Sequence, residues 1–210
     1  MRPHDDTSAD LMQALVGGRQ TALNELMTLW EAPLLRFVYR YVQNEAIARD
    51  LVQETFVRVY LHRERFRPGT SFSTWAFTIA ANLCRNHRRW QGRHPTVSLD
   101  EPASTDNEVS TTRQDYLVSP ARGPDHDAQH AEHVDALKAA IAELPHELRT
   151  ALLLYEYEDL SYREIAEIVG CSEKGVESRL VRARVKLRKM LSIYLHPERS
   201  GAPALQPLRG

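Results

Sequence analysis

Residues 161–187 read SYREIAEIVGCSEKGVESRLVRARVKL. Ile165, Ala166 and Val169 are spaced for one face of a short helix. Gly170 permits a tight turn after it, and Ser172 can cap the helix that follows. Val176, Leu180, Ala183 and Leu187 then form a second apolar stripe. A short helix, a glycine turn and a capped helix with a basic outer face make a helix-turn-helix, whose second helix can enter a DNA major groove. At about 100° per residue from Val176, the positions Lys174, Ser178, Val181, Arg182 and Val185 fall on the far side, where they can meet base edges. Arg179, Arg184, Lys186, Arg188 and Lys189 flank them and are placed for phosphates.

Outward from this motif the chain is helical wherever it is periodic. Leu148 to Tyr157 form one helix, and Val134, Leu137, Ile141 and Leu144 mark another that Pro145 ends. Residues 8–90 read as almost continuous helix. Thr7 or Ser8 can cap a short first helix that stops at Gly17-Gly18. Leu23, Leu26, Met27, Trp30, Leu34, Phe37, Val38 and Tyr41 follow on helical spacing, with Pro33 expected to kink the segment or start a new helix. Asn44 caps a helix over about 45–64, Pro68-Gly69 marks a turn, and Ser71 or Ser73 opens a helix to about Trp90. Residues 91–130 hold four prolines, many Ser, Thr and Asp and few large apolar side chains, the composition of an extended linker. The expected fold is all-α, with two small helical domains joined by a flexible acidic linker. They are an N-terminal helical bundle over 1–90 and a C-terminal helix-turn-helix domain over 131–196, with a loose tail over 197–210.

The chain has 210 residues, 42% hydrophobic and 26% charged, which excludes wholesale disorder and fits two small domains. No apolar run is long enough to span a membrane, so no direct membrane insertion is expected. The polar N-terminus has no signal-peptide core. Cys84 and Cys171 make neither a disulfide scaffold nor a four-cysteine zinc site, and a reducing cytoplasm fits them. The net charge of −1 conceals a segregated pattern. Residues 61–93 carry 7 Lys+Arg against 1 Asp+Glu, residues 94–134 carry 2 against 8, and residues 162–196 carry 8 against 4. Two basic blocks flank an acidic stretch, which points to two polyanion-binding surfaces.

The first basic block contains FSTWAFTIAANLCRNHRRW, residues 72–90. With Asn82 as zero, Thr78, Arg85, Asn86 and Arg89 lie within about 60°, while Phe72, Ala76, Ile79, Leu83 and Trp90 centre about 80–100° away, facing the core. Trp75 stands at the border. Amides read base edges, guanidiniums neutralise phosphate, and an aromatic ring can stack on an unpaired base. The alternative is a solvated face with a core tryptophan. Ahead of it, DLVQETFVRVY (50–60) puts Asp50, Gln53, Glu54 and Val57 on one side of a helix, with Leu51, Phe56, Val59 and Tyr60 toward the core. A mixed acidic and apolar face of this kind is either a docking surface for a basic partner or ordinary surface.

Taken in order, DLVQETFVRVY, FSTWAFTIAANLCRNHRRW and LPHELRTALLLYEYEDLSYREIAEIVGCSEKGVESRLVRARVKLR resemble an extracytoplasmic-function (ECF) sigma factor of bacterial RNA polymerase. The resemblance covers about residues 8–90 and 131–192. It implies that Asp50, Leu51, Gln53, Glu54 and Phe56 dock on the polymerase core. It implies that the helix carrying Trp75, Thr78, Asn82, Arg85, Asn86 and Arg89 opens and holds the −10 promoter element, Asn82 helping to capture a flipped-out base. It implies that the C-terminal domain reads the −35 element as duplex through Lys174, Ser178, Arg179, Val181, Arg182, Arg184 and Lys186. The linker would occupy the active-centre cleft and RNA exit path. An anti-sigma factor is implied as a further partner beside core polymerase and promoter DNA. Gly175 stands where the family usually has Thr, and Glu177 where a basic residue is common; both departures bear on the −35 preference.

No Gly-rich phosphate loop, nucleophile elbow or acid–base pair is present, so neither catalysis nor a cofactor is expected. His126, His130 and His133 have helical spacing but no cysteine or carboxylate set to complete a metal site, so no metal is expected. Two other readings stand beside the sigma-like one. A helix-turn-helix regulator with an N-terminal sensing or dimerisation domain would bind duplex without polymerase. An anti-sigma or adaptor protein using only the acidic helix would leave both basic faces without a role.

Overall fold

The computed structural model describes residues 5–67, 69–93 and 124–192; for 124–130 only the helical path is given. Among these residues there are eight α-helices and no strand. They are α1 (Asp5–Val16), α2 (Thr21–Val42), α3 (Glu45–Leu61), α4 (Phe72–Arg93), α5 (Pro124–Glu143), α6 (His146–Glu158), α7 (Tyr162–Val169) and α8 (Glu173–Met190), with a 3-10 turn at Arg63–Arg65. Helix α4 runs past the expected Trp90 to Arg93, and α5 begins at Pro124, inside the stretch read as linker. Proline is at home in a first helical turn, where its missing N–H has no partner to lose. Residues 94–123 and 193–210, which hold the remainder of the expected linker and tail, lie outside the described residues.

Several ends follow local chemistry. Asn44 accepts from the Ile47 N–H at 3.0 Å and starts α3. Ser161 and Glu164 form a reciprocal capping box on α7. Gly170 closes α7 at φ +65°, a left-handed conformation that glycine adopts without a Cβ penalty. Ser172 accepts from the Gly175 N–H and starts α8.

Two expectations are corrected. Neither Thr7 nor Ser8 caps α1, since both lie inside its first turns; Ser8 is buried, and its hydroxyl accepts from the Trp30 indole N–H at 2.8 Å. Pro33 does not start a new helix: it lies inside α2, which has 22 residues from Thr21 to Val42. A proline costs a helix interior about 3 kcal/mol, and burial of Leu26, Trp30, Leu34, Phe37, Val38 and Tyr41 outweighs it.

The start of α4 has a cap from far away in sequence. Asp5 is 2% exposed. Its carboxylate accepts from the Ser73 N–H, the Ser73 hydroxyl and the Ser71 hydroxyl, each at 3.1 Å. Negative charge at a helix N-terminus satisfies the free N–H groups and complements the helix dipole. From this end an aromatic series crosses the N-terminal bundle. Phe66–Trp75, Trp30–Phe72, Phe37–Phe77 and Phe37–Tyr41 have ring centroids 5.4, 5.5, 5.4 and 6.4 Å apart.

The C-terminal helices do not hang free. Helix α6 packs on α2 and α7 on α4, so the apolar side chains of both halves form one contiguous cluster. The seam is polar at several points. The Tyr41 hydroxyl and His146 Nδ1 share a 2.8 Å hydrogen bond. Arg88 donates to the Leu144 carbonyl, and Gln43 to the Lys138 carbonyl, each at 2.5 Å. Arg36 and Arg40 reach the buried Glu158 at 3.9 and 4.0 Å. Arg149 lies over the Tyr41 ring at 4.6 Å.

Two outcomes are expected. Asp5→Ala should lower the unfolding free energy by about 1–3 kcal/mol, since it orphans the buried N–H and hydroxyls it serves; an unchanged urea midpoint would show that the cap carries no weight. The second concerns His146, whose pKa is pushed from 6.5 down to about 4 by burial first, then by Arg85, with Arg88 and Arg149 adding and Glu147 opposing. A group with a lower pKa in the packed state takes up its proton more readily when unpacked. Packing is therefore unaffected above about pH 6.5 and weakens as pH falls toward 4. Small-angle scattering should show the radius of gyration rising over that window, with the step lost in His146→Gln. A flat wild-type profile would contradict it.

Candidate nucleic-acid interfaces

Helix α4 touches α1, α2, α3 and α7, which surround it on most sides. At about 100° per residue from Asn82, its buried residues Phe72, Ser73, Thr74, Ala76, Phe77, Ala80, Ala81, Leu83 and Cys84 fill an arc from about 80° to 280°. That arc is wider than the sequence suggests, because α7 covers a flank that local periodicity does not register. The remaining arc carries Trp75, Thr78, Ile79, Asn82, Arg85, Asn86 and Arg89, half-buried or exposed. The stripe expected from sequence lies within the part of α4 that packing leaves open, but two residues expected to face the core do not: Ile79 is half-buried in the open arc and Trp90 is 50% exposed near the helix end.

Its side chains are partly organised. Arg85 Nη2 donates to Asn82 Oδ1 at 2.8 Å, leaving the Asn82 amide nitrogen to donate elsewhere. Thr78 turns its hydroxyl back to the Thr74 carbonyl at 2.7 Å, so its methyl is the group offered outward. Trp75 is held between Phe66 and Phe72 with ring centroids 5.4 and 6.4 Å away, a fixed aromatic plane beside the amide stripe. Asn86 and Arg89 are exposed. Cys84, behind the stripe, is fully buried, and burial pushes its thiol up to about 12, leaving it an inert core residue.

On α8, Val176, Leu180 and Ala183 are buried and Lys174, Ser178, Val181, Arg182, Val185 and Lys186 are exposed. Val181 and Val185 are 54% and 58% exposed. Two bare valines between Lys174, Ser178 and Arg182 suit thymine methyl groups beside hydrogen-bonding partners. Arg182 turns its Nε back to the Ser178 carbonyl, leaving its other nitrogens free to reach outward. Arg179 and Arg184 differ from the rest. The Arg179 side chain is only 14% exposed and pairs with Glu147 at 3.1 Å. Arg184 pairs with Glu156 at 2.8 Å and lies over the Tyr155 ring. Both tie α8 to α6 at its flanks. Their acidic partners escaped sequence reasoning because the pairs join positions 28 and 32 residues apart.

On α3, Asp50 and Gln53 are exposed, Leu51 is half-buried and Glu54 pairs with Arg58 at 2.7 Å. Phe56 is 3% exposed and supports this face from below. It lines a shallow groove with Met27, Leu35 and Val52. Val57 and Leu61, 49% and 63% exposed, extend the face with apolar surface. Leu61 was not singled out in the sequence, although it stands four residues after Val57 and seven after Glu54, on the same helical face. Among the described residues no metal-binding group of His, Cys, Asp and Glu is formed, and no helix is long and apolar enough to cross a membrane. The side chains of His126 and His130 lie outside the described residues.

Residues 26–94 match the family model of Sigma-70 region 2, and residues 135–187 match that of Sigma-70 region 4. Over 185 residues the chain is 31% identical to the RNA polymerase sigma-H factor of Pseudomonas aeruginosa, covering 88% of this chain and 94% of that one. It is 33% identical over 179 residues to the ECF RNA polymerase sigma-E factor of Haemophilus influenzae, covering 85% and 92%. The fold is shared with the sigma factor RpoE of Bartonella quintana, solved with the anti-sigma factor NepR, at a TM-score of 0.57 and 23% identity over 81% of this chain and 96% of that one. A stand-alone regulator accounts for the second region but not the first.

Gly175, the departure noted on α8, lies close against Cys171. A Cβ there would stand 3.1 Å from Cys171 Sγ and 3.2 Å from Cys171 Cβ. A side chain at 175 would need the Cys171 side chain to give by a few tenths of an ångström. Gly175→Thr should therefore cost about 1–3 kcal/mol of stability by overpacking and weaken duplex binding with it. Adding Cys171→Ala should recover most of both. Urea unfolding and duplex titration check this, and a double variant no better than Gly175→Thr would reject the fit.

Proposed function

We propose, for a chain that belongs to the extracytoplasmic-function family of RNA polymerase sigma factors, how its open faces divide the family's work. A factor of this type binds core polymerase, recognises −35 and −10 promoter elements, melts the −10 region and directs initiation. In our assignment, α3 docks on core through Asp50, Leu51, Gln53 and Glu54, with Phe56 shaping the face from beneath. The acidic and apolar mixture there suits a basic partner with apolar contacts at its centre.

The −10 element falls to the open arc of α4. Single-strand capture needs an aromatic plane beside amide donors, with cations for the backbone. Trp75 supplies the plane, Asn82 and Asn86 the amides, and Arg85 and Arg89 the cations, while Thr78 offers a methyl. A captured base competes for Asn82 with Arg85, which then becomes free for phosphate. The observation that carries this assignment is the coincidence of that stripe with the arc of α4 that packing leaves open. The −35 duplex falls to α8. Lys174, Ser178, Val181 and Arg182 face bases there, while Lys186 and the α6-tethered Arg179 and Arg184 face backbone.

The chain is read as a specificity subunit rather than an enzyme, working in the cytoplasm where polymerase and promoter are. An anti-sigma partner is inferred from the relationship and from the complex in which the Bartonella protein was solved.

Co-elution with core polymerase at moderate salt tests the premise: a stoichiometric complex is expected, and a folded chain that elutes alone would return the stand-alone regulator. Asp50→Lys with Glu54→Lys should abolish that complex; normal co-elution would reject the α3 assignment. Asn82→Ala should leave core binding intact and impair promoter opening, so undiminished permanganate reactivity at the −10 element would remove Asn82 from the site. Arg182→Ala should cost about 1–3 kcal/mol in −35 duplex affinity if it reads a base; equal affinity would exclude that role.

A further inference from the structure

We propose that Glu177 sets part of the −35 preference: its carboxylate accepts from the N4 amino group of one cytosine and makes a C·G pair at that position part of the element. The proposal rests on the assignment of the −35 duplex to α8 above, and three observations carry it.

The first is place. Glu177 is exposed in the second turn of α8, which the Ser172 cap opens. The first turns of a recognition helix are the ones that reach base edges. At about 100° per residue from Val176, Glu177 lies at about 100° and Val181 at about 140°, with Lys174 and Ser178 at about 160° and 200°. Glu177 therefore continues the edge of the outward face on which Val181 is 54% exposed, one turn nearer the helix start.

The second is charge. Other carboxylates of this half have partners within the chain. Glu147 holds Arg179, Glu156 holds Arg184 and Glu164 closes the capping box of α7. Among the described residues no cation forms an ion pair with Glu177. Glu173, the other exposed acid of α8, is in the first turn, where the helix dipole accounts for it. Over the first two turns the flank of Glu173 and Glu177 carries no cation, whereas Arg179 stands on the opposite flank, at about 300°. Phosphate is drawn to the Arg179 side and repelled from this one, so a base edge is the contact left for Glu177.

The third is the code of the major groove. Cytosine shows an N4 donor there, thymine an O4 acceptor, and adenine an N6 donor beside its N7 acceptor. An ionised carboxylate only accepts. It gains a charge-assisted hydrogen bond from cytosine, is repelled by thymine O4 and meets the N7 lone pair of adenine. Lys174 and Arg182 only donate, so they cannot make this selection. One side chain thus supplies both the attraction and the rejection that specificity needs.

The test uses the full chain assembled with core polymerase and a promoter pool randomised across the −35 element, with bound promoters sequenced. The wild-type complex should favour cytosine over thymine at least about tenfold at one position. Glu177→Ala should erase that preference at this position alone, the remaining positions serving as controls of folding and docking. Glu177→Gln, whose amide donates as well as accepts, should shift the preference toward adenine. Unchanged preferences in both variants would overturn the proposal. So would a uniform gain in affinity for every sequence, which would place Glu177 against phosphate. A wild-type complex that selects no −35 sequence would instead overturn the assignment of α8 on which the proposal rests.

Discussion

Helix α4 is covered over more than half of its circumference, and that constraint organises the molecule. Four other helices press on it, so the polar side chains it carries have one strip of surface left to occupy. The Asp5 carboxylate fixes where α4 begins, and the aromatic series from Trp75 to Tyr41 fixes its roll against α2. A one-residue change in register would rotate the strip by about 100° and bury guanidiniums against the core. Position along the helix, more than any single contact, decides which amides face solvent.

The same covering joins the two halves. Apolar surface on α7 that an isolated helix-turn-helix would expose is placed against α4, and α6 is placed against α2. The polar contacts around that apolar seam are few and specific. Tyr41 illustrates the arrangement: its ring ends the aromatic series of the N-terminal bundle, and its hydroxyl meets His146 at the start of α6. Core packing and the junction between halves thus share a residue.

What could be read from the sequence was local. The caps at Asn44, Ser161 and Ser172, the stop at Gly170 and the outer faces of α4 and α8 all depend on neighbours within about one helical turn, where spacing is a sufficient guide. What escaped depends on distant partners. Ser8 looks like a cap until Trp30 claims its hydroxyl. Pro33 looks like a break until burial of α2 outweighs the lost hydrogen bond. Arg88 looks like one more cation beside Arg89 until Leu144 accepts from it. Arg179 and Arg184 belong to the basic helix by sequence, yet Glu147 and Glu156 hold them. Two separate domains were legible; their packing was not, since no periodicity encodes a contact across a hundred residues.

The fit of Cys171 against Gly175 also has an evolutionary side. A lineage that gained a side chain at 175 before losing bulk at 171 would pass through an overpacked ancestor. One that trimmed 171 first would carry a small void at the turn. Positions 171 and 175 are therefore coupled through volume, so a change at one alters the room at the other. Change is less constrained at Lys174, Ser178 and Arg182, whose side chains are exposed.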